Sequence, residues 1–419
     1  MLVVLLVLFF FVVLVDGQRV YVYDLREFWD LPKPLTMEAL ETLDATASEV
    51  FGAKCDAGLE EEFATHMYSV PMILLWRLLR SKRRTLDPKE ADLFYVPMYP
   101  RQKSQRMWEN RCDRDENLKV AERLAFLNEE TARRHFFVVG KGHVKVGNKC
   151  DHWWKSPDGL LKKAQRFAYS SDYGTALKQG QERYGPFDLD DPNVAETMAA
   201  DVFDDDLPYP HLVSVPYPSS IHASSFYKRT DWSPSVRPLL ASFVGGSHSK
   251  STFAVVRKKL KTDCSRDQRC RYHDYRSGTF DCGLATYMKN ATFCFQPGGD
   301  SPYRKSFYDS FMTGCIPVVF GEYNARAAPW HFWSGHRQNA MVIINASHYM
   351  KGHLDILGYL KSIPKVRVAK MQHAIARNAH RLQYALIDDF PDDAVDIILR
   401  GAYHHAASLS HHHIGKKKT

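Results

Sequence analysis

The sequence predicts an α/β protein of two doubly wound, Rossmann-like units facing a cleft. Three observations carry this: short strand-like runs that are apolar throughout, amphipathic stretches between them, and a proline-marked break dividing the runs into two series. Strands with no polar face belong to parallel sheets covered by helices on both sides.

The first series opens at Arg19 with the β-rich run Val20-Tyr21-Val22-Tyr23, which ends at Asp24. Residues 63–79 carry apolar side chains at helical spacing, with Pro71 as a break or kink. Ala91 to Val96 reads as a strand stopped by Pro97, residues 117–134 as an amphipathic helix, and His135 to Val139 as a strand closed by Gly140. Residues 151–210 are irregular and rich in Asp, Gly, Tyr and Pro, and the strand-like Leu212 to Val215 ends at Pro216-Tyr217-Pro218. Residues 223–238, with Pro234 and Pro238, make the linker.

The second series runs from Ala241-Ser242-Phe243-Val244 into Gly245-Gly246, a helix over 251–260, the 294–320 region, a strand over 341–344 and helices between 353 and 399. The predicted units span 18–225 and 236–400. Residues 401–419, rich in His and Lys, are expected to be a disordered tail, and there is no internal repeat.

The bulk numbers agree with that plan. The 419 residues suffice for two or three domains, and 45% hydrophobic with 25% charged residues is the balance of a globular chain with a large core. A net charge of +8 fits a protein that handles anionic ligands. The basic residues are scattered apart from Lys82-Arg83-Arg84 and Lys416-Lys417-Lys418, without the basic stripe and interleaved aromatics of a nucleic-acid binder.

Leu2 to Val15 is unbroken apolar sequence followed by Asp16-Gly17. It is shorter than the roughly 20 residues of a spanning helix and suits a signal-peptide core or a short signal anchor over residues 1–17. Either sends the rest of the chain into the secretory lumen. Asn290-Ala-Thr292 and Asn345-Ala-Ser347 are N-glycosylation acceptor patterns, in keeping with that compartment. Eight cysteines permit disulfides there, and none has the paired spacing of a zinc site. Cys264 with Cys270, or Cys282 with Cys294, could close small loops. Cys315, in an apolar run, is expected as a buried free thiol.

The chemistry concentrates in Phe293 to Phe320, which reads as strand, loop, helix, turn, strand. Ser301 suits an N-cap, Pro302 the first helical position, and Gly314 the helix end. The unpaired N–H groups and positive dipole of such a helix start favour an anion. Gly298 and Gly299 let the backbone approach it, and Arg304 can grip phosphate oxygens in bidentate fashion. Lys305 either adds charge there or pairs with Asp309 four residues on. An Asp309 carboxylate one turn further in could also accept ribose hydroxyls. Physics alone yields an anion site without naming the anion.

The segment resembles the signature of the exostosin-like glycosyltransferases of family 47, in Cys294, Pro297, Gly299, Asp300, Ser301, Arg304, Asp309, and Gly314 through Val318. Val22-Tyr23-Asp24-Leu25, Asp87-Pro88 with Ala91 to Pro97, His135-Phe136-Phe137, Val215 to Pro218, and Ser242 to Gly246 with Arg257 extend the resemblance over about residues 20–385. The resemblance implies a GT-B fold with the acceptor on the N-terminal half and a nucleotide-sugar donor, usually a UDP-sugar, on the C-terminal half. It further implies a hexosyl or pentosyl transfer that inverts the anomeric carbon, a Golgi location, a polysaccharide or glycoprotein glycan as acceptor, and no metal ion or other cofactor. Association with related transferases is compatible with it. The donor site maps onto Gly245, Arg257, Gly299, Ser301, Arg304, Lys305 and Asp309.

Inversion needs a base for the acceptor hydroxyl. Asp24, Glu27, His143 and His222 stand at strand ends of the first unit and are the candidates. Asp113/Asp115, Asp188/Asp190 and Asp204/Asp206 have the Asp-x-Asp spacing of metal-dependent transferases, but none follows a convincing buried strand. The alternatives are a catalytically silent glycan-binding or partner subunit of the same fold and a secreted hydrolase. The first is disfavoured by the presence of both Arg304 and Asp309, the second by the lack of a Gly-x-Ser-x-Gly elbow.

Overall fold

The computed structural model describes residues 18–25, 47–56, 59, 61–97, 120–139, 160–169, 212–223, 237–246, 253–274, 282–299, 303–327, 332–336 and 339–415. Their strands form two sheets in which every pairing is parallel. The first contains β1 (Val20–Val22), β2 (Arg84–Thr85), β3 (Leu93–Tyr95), β4 (His135–Val139), β5 (Gln165–Ala168) and β6 (Leu212–Ser214), in the order β2-β1-β3-β4-β5-β6. The second contains β7 (Leu239–Val244), β8 (Cys270–His273), β9 (Ala291–Phe295), β10 (Ile316–Phe320) and β11 (Val342–Ile344), in the order β11-β10-β9-β7-β8. Two Rossmann-like halves of this kind are the GT-B architecture that the resemblance implies.

The strand orders locate the ligand crevices before any side chain is considered. In open parallel sheets a ligand binds beyond the carboxyl ends of the strands, where the winding reverses. The reversal lies between β1 and β3 in the first sheet and between β7 and β9 in the second. The carboxyl ends of the two sheets also meet: Tyr303, after β9, donates its hydroxyl to the carbonyl of Tyr169, after β5, at 2.6 Å.

Several helices differ from the sequence expectation for identifiable reasons. The helix expected over 63–79 begins only at Val70 and runs to Arg80 (α1), with Pro71 in its first turn. Proline opens this helix instead of kinking it, because the missing N–H would be unpaired there anyway. The helix expected over 117–134 is broken: residues 120–122 are helical, but Asn128 Oδ1 accepts from the backbone N–H groups of Glu130 and Thr131, a local turn that competes with the helix, and a 3₁₀ turn follows over Ala132–Arg134. Residues 117–119 lie outside the described residues.

In the second half, α2 (Ala254–Ser265), α3 (Leu284–Lys289), α4 (Lys305–Met312) and α5 (Lys365–Asn378) surround the sheet. The expectation of a disordered tail from residue 401 is corrected. Helix α6 runs from Ala394 to Gly415, and Ala402 and Ala406, four residues apart on one face, are buried. It returns to the first half, where Gln165 Nε2 donates to the Ala402 carbonyl at 2.8 Å and Arg83 pairs with Asp396 at 2.6 Å.

One apolar cluster runs through both halves, from Val20 and Trp76 to Phe311 and Ile398. Its seam also carries the buried ion pair Arg77–Asp393 at 2.8 Å. Burial holds the Asp393 carboxyl above its ordinary range even with Arg77 against it.

Disulfides join Cys264 to Cys270, Cys294 to Cys315, and Cys55 to Cys282. The small loop closed by Cys264 and Cys270 is one of the two anticipated. The free thiol expected at Cys315 is instead bonded to Cys294 across the neighbouring strands β9 and β10, where an apolar run buries a disulfide as readily as a thiol. Cys282 bonds to Cys55, so a covalent link joins the halves.

Candidate functional site at the junction of the two sheets

The crevice at the β7/β9 reversal is framed by glycine. Gly245, directly after β7, has Arg257 Nη1 3.1 Å from where a Cβ would stand. A Cβ on Gly298 would fall 2.5 Å from the buried Phe253 ring, and one on Gly299 would fall 3.0 Å from Arg304 Cδ and Nη1. The glycines thus give the loop room for Phe253 on one side and for the arginine side chain on the other.

Arg257 is positioned differently from the sequence expectation. Its guanidinium donates to the carbonyls of Gly246 (2.8 Å), Gly298 (2.8 Å) and Pro297 (3.3 Å), tying the loop after β7 to the loop after β9. It holds the walls of the crevice in place.

Helix α4 starts at Lys305 with Arg304 in the N-cap position, not at Ser301. The Arg304 backbone is extended, and its carbonyl accepts from the Phe307 N–H at 2.9 Å. The arginine is half-buried and folded along Gly299, at the positive end of the helix. Ser301 and Pro302 lie outside the described residues. Beside it, Gln296 at the end of β9 accepts from Ser306 Oγ at 2.8 Å.

Lys305 and Asp309 form the pair their spacing allows, at 3.0 Å, but at the seam between the halves instead of on a surface. Asp309 Oδ1 also accepts from Ser219 Oγ (2.9 Å) and the Ser220 N–H (2.7 Å), and Lys305 Nζ donates to Ser220 Oγ.

His222 is corrected as a base candidate. It is fully buried, edge-on to the Phe51 ring with centroids 4.4 Å apart, and both ring nitrogens are engaged. Nδ1 faces the Tyr384 carbonyl at 2.7 Å and so carries the proton, leaving Nε2 to accept from the Thr65 hydroxyl at 2.8 Å. Burial lowers its pKa to about 3. It is a neutral strut in the seam, out of reach of an acceptor in the cleft. His143 and Glu27 lie outside the described residues, as do the three Asp-x-Asp pairs. Asp24 is exposed immediately beyond β1, at the winding reversal of the first sheet.

The structure adds residues that no local pattern announced. Glu62, from the first half, caps α3 of the second: Oε1 accepts from the N–H groups of Gly283 (3.0 Å) and Ala285 (3.3 Å). His66, half-buried just before α1, has its pKa lowered by burial and by the charge of Lys305. Both sequons are accessible. Asn290 is exposed at the end of α3, and Asn345 is exposed where its Oδ1 caps the helix Ala346–Met350 by accepting from the His348 N–H at 2.7 Å.

Residues 15–332 match the family model of the Exostosin GT47 domain. The chain belongs to that family. Among curated relatives, a probable xyloglucan galactosyltransferase of Arabidopsis thaliana is 26% identical over 91% of this chain and 81% of its own length. A second is 28% identical over 83% of this chain, and a xyloglucan-specific galacturonosyltransferase of the same plant is 27% identical over 78%. This GT47 chain spans only 59% and 47% of those two relatives. Among solved structures, the GtfA/B complex aligns with 75% of this chain and 58% of its own at 8% identity and a TM-score of 0.37, a likeness too faint to carry weight.

Among the described residues no helix is long and apolar enough to cross a membrane, and residues 1–17 are not among them.

Proposed function

We propose that this GT47 chain moves a galactosyl or galacturonosyl group from a UDP-sugar to a xyloglucan-type polysaccharide, with inversion, in the lumen of the Golgi. The observation that carries the donor side is Arg304 at the start of α4, folded along Gly299 in the crevice at the β7/β9 reversal. An anionic diphosphate placed there meets the helix dipole and a fixed guanidinium. Arg257 keeps the two loops of the crevice in register. The names of the relatives support the sugar and the acceptor polymer.

In the reaction the acceptor hydroxyl attacks the anomeric carbon from the face opposite the diphosphate. The carbon–oxygen bond to the phosphate breaks, and the diphosphate leaves with its electrons. Arg304 and the α4 N-terminus take up the charge that develops. The acceptor proton passes to a base on the first half, and Asp24 is the candidate whose position suits this. With the leaving charge met by protein groups, the transfer proceeds without a divalent cation. The signal-like residues 1–17 and the accessible Asn290 and Asn345 support the lumenal location.

The test is transfer from UDP-galactose or UDP-galacturonate to xyloglucan by the purified full chain, with and without EDTA. Arg304→Ala should lower kcat by about 10²-fold or more, and EDTA should leave the rate unchanged. Absence of transfer or donor hydrolysis with either donor, or an Arg304→Ala variant as active as the parent, would sink the reading.

A further inference from the structure

Cations that lie scattered in the sequence are gathered by α5 on one outer face. The helix carries Lys365, Arg367, Lys370 and Arg377 and no acidic residue. Val368, Met371, Ala374 and Ile375 form its buried side. On the opposite side Val366, Lys370, His373 and Arg377 are all exposed and follow one another at spacings of four, three and four, a single line along the helix. Lys365 and Arg367 are exposed beside the start of that line, and the charged stretch from Arg367 to Arg377 is about 15 Å long. Among the described residues no carboxylate lies within ion-pair distance of any of the four cations.

Helix stability does not account for this arrangement. Lys365 and Arg367 stand in the first turn, at the positive end of the helix dipole, with no acidic residue and no side-chain cap to offset them. Arg367 and Lys370, three residues apart, repel each other. A face held against these local costs, and left unneutralised by the rest of the chain, fits an external polyanion. A lipid surface fits less well, because the apolar side with which an amphipathic helix enters a membrane is here packed on the core. The preceding helix, Ile356–Ser362, leads into α5 through Ile363 and Pro364 and presents Tyr359, 37% exposed, an apolar ring with a polar tip that suits the face of a sugar. The line lies beyond residue 332, where the match to the family model ends.

We propose that the outer face of α5 is a second carbohydrate-binding surface, distinct from the crevice, that takes a uronate-bearing polysaccharide by pairing its carboxylates with Arg367, Lys370 and Arg377. The choice of a glycan among polyanions rests on the transferase reading above, in which galacturonosyl transfer itself creates such a polymer. The surface keeps the acidic polymer on the enzyme between transfers. Its binding is measured without donor, so it can fail while transfer stands, and transfer can fail while it stands.

The experiment measures the Kd of the full chain for polygalacturonate by calorimetry, at low and at physiological ionic strength. Binding should weaken as the Debye length shortens from about 30 to about 8 Å. The triple variant Arg367→Ala, Lys370→Ala, Arg377→Ala should bind about ten-fold more weakly or worse, each exposed ion contact being worth roughly two- to five-fold. A control that removes the same charge elsewhere, from the exposed Lys89, Lys258 and Lys289, should stay within about two-fold of the parent. Without ligand the triple variant should melt at or above the parent temperature, since it relieves the repulsion, and polygalacturonate should raise the melting temperature of the parent alone. The proposal is overturned if the control loses as much affinity as the triple variant, for then net charge alone binds the polymer. It is overturned equally if the triple variant binds as the parent does, or melts well below it, which would make the cations part of the fold. Vesicles of phosphatidylcholine with phosphatidylserine that retain the parent and release the triple variant, while polygalacturonate binds neither, would make the face a membrane contact instead.

Discussion

The crevice at the β7/β9 reversal and the seam beside it are built in opposite ways. The crevice comes from two short stretches, Val244 to Arg257 and Phe295 to Arg304, whose glycines and arginines interlock over a few residues. The seam comes from pairs far apart in the chain: Cys55 with Cys282, Arg77 with Asp393, Glu62 with Gly283, His222 with Tyr384. The crevice holds accessible charge suited to a ligand. The seam formed by those pairs encloses groups that serve the fold. Substitution of Arg77 should therefore cost mainly stability and substitution of Arg304 mainly activity, with Gly298 at the crevice wall touching both.

The largest stability loss is expected at Arg77. Removing it leaves Asp393, 0% exposed, as an uncompensated buried group and deprives the Ala385 carbonyl of its donor. Arg77→Ala should cost about 3–5 kcal/mol in chemical denaturation. A loss below about 1 kcal/mol would mean that the seam is looser than its geometry indicates.

A smaller loss is expected at the crevice wall. In Gly298→Ala the new methyl would strike the Phe253 ring, itself 1% exposed and unable to swing away. Overpacking of this sort costs about 1–3 kcal/mol. Because the same displacement shifts the loop carrying Arg304, donor affinity should fall too. Intact donor affinity would show that the loop and the arginine move independently.

The contrast also explains what the sequence made legible. The apolar runs at Val20, Leu93, His135, Leu239 and Ile316 announced parallel strands because a strand buried on both faces has no polar residue to hide. The crevice was legible because Gly299, Arg304 and the helix after them are close neighbours, although the cap fell at Arg304 and Arg257 turned out to bind carbonyls. The seam was not legible. A histidine after a strand, such as His222, has the same sequence context whether it faces a cleft or a core. The partner of Cys55 lies 227 residues away. Helix α6 was missed because the His- and Lys-rich sequence after residue 401 masks the two alanines that dock it.

A third effect distinguishes the regions by pH. Burial holds His222 neutral with a folded-state pKa of about 3, and His135 with one of about 4, against 6.5 for an unperturbed histidine. Between those values and about 6.5 the unfolded chain binds more protons than the folded one. The stability these groups confer is therefore complete above about pH 6.5 and drains as pH falls, at up to about 1.4 kcal/mol per unit for each histidine. Urea midpoints measured from pH 7 to 4 should fall accordingly. His222→Gln should start lower at pH 7 and fall less steeply. An equally steep decline in that variant would assign the acid sensitivity elsewhere.

The smallest stability effect should come from the residue with the largest functional one. Arg304 is half-buried at the N-cap position, where its backbone makes the helix bond and its side chain makes no cap bond. Arg304→Ala retains that backbone and removes the guanidinium lying against Gly299. Its thermal midpoint should match that of the parent within the shift of about 0.5 kcal/mol ordinary for such sites, while transfer collapses. If Arg304→Ala instead destabilised the chain as Gly298→Ala is expected to, the arginine would belong with Arg257 as a wall of the crevice. The diphosphate would then have to be met by the helix start alone.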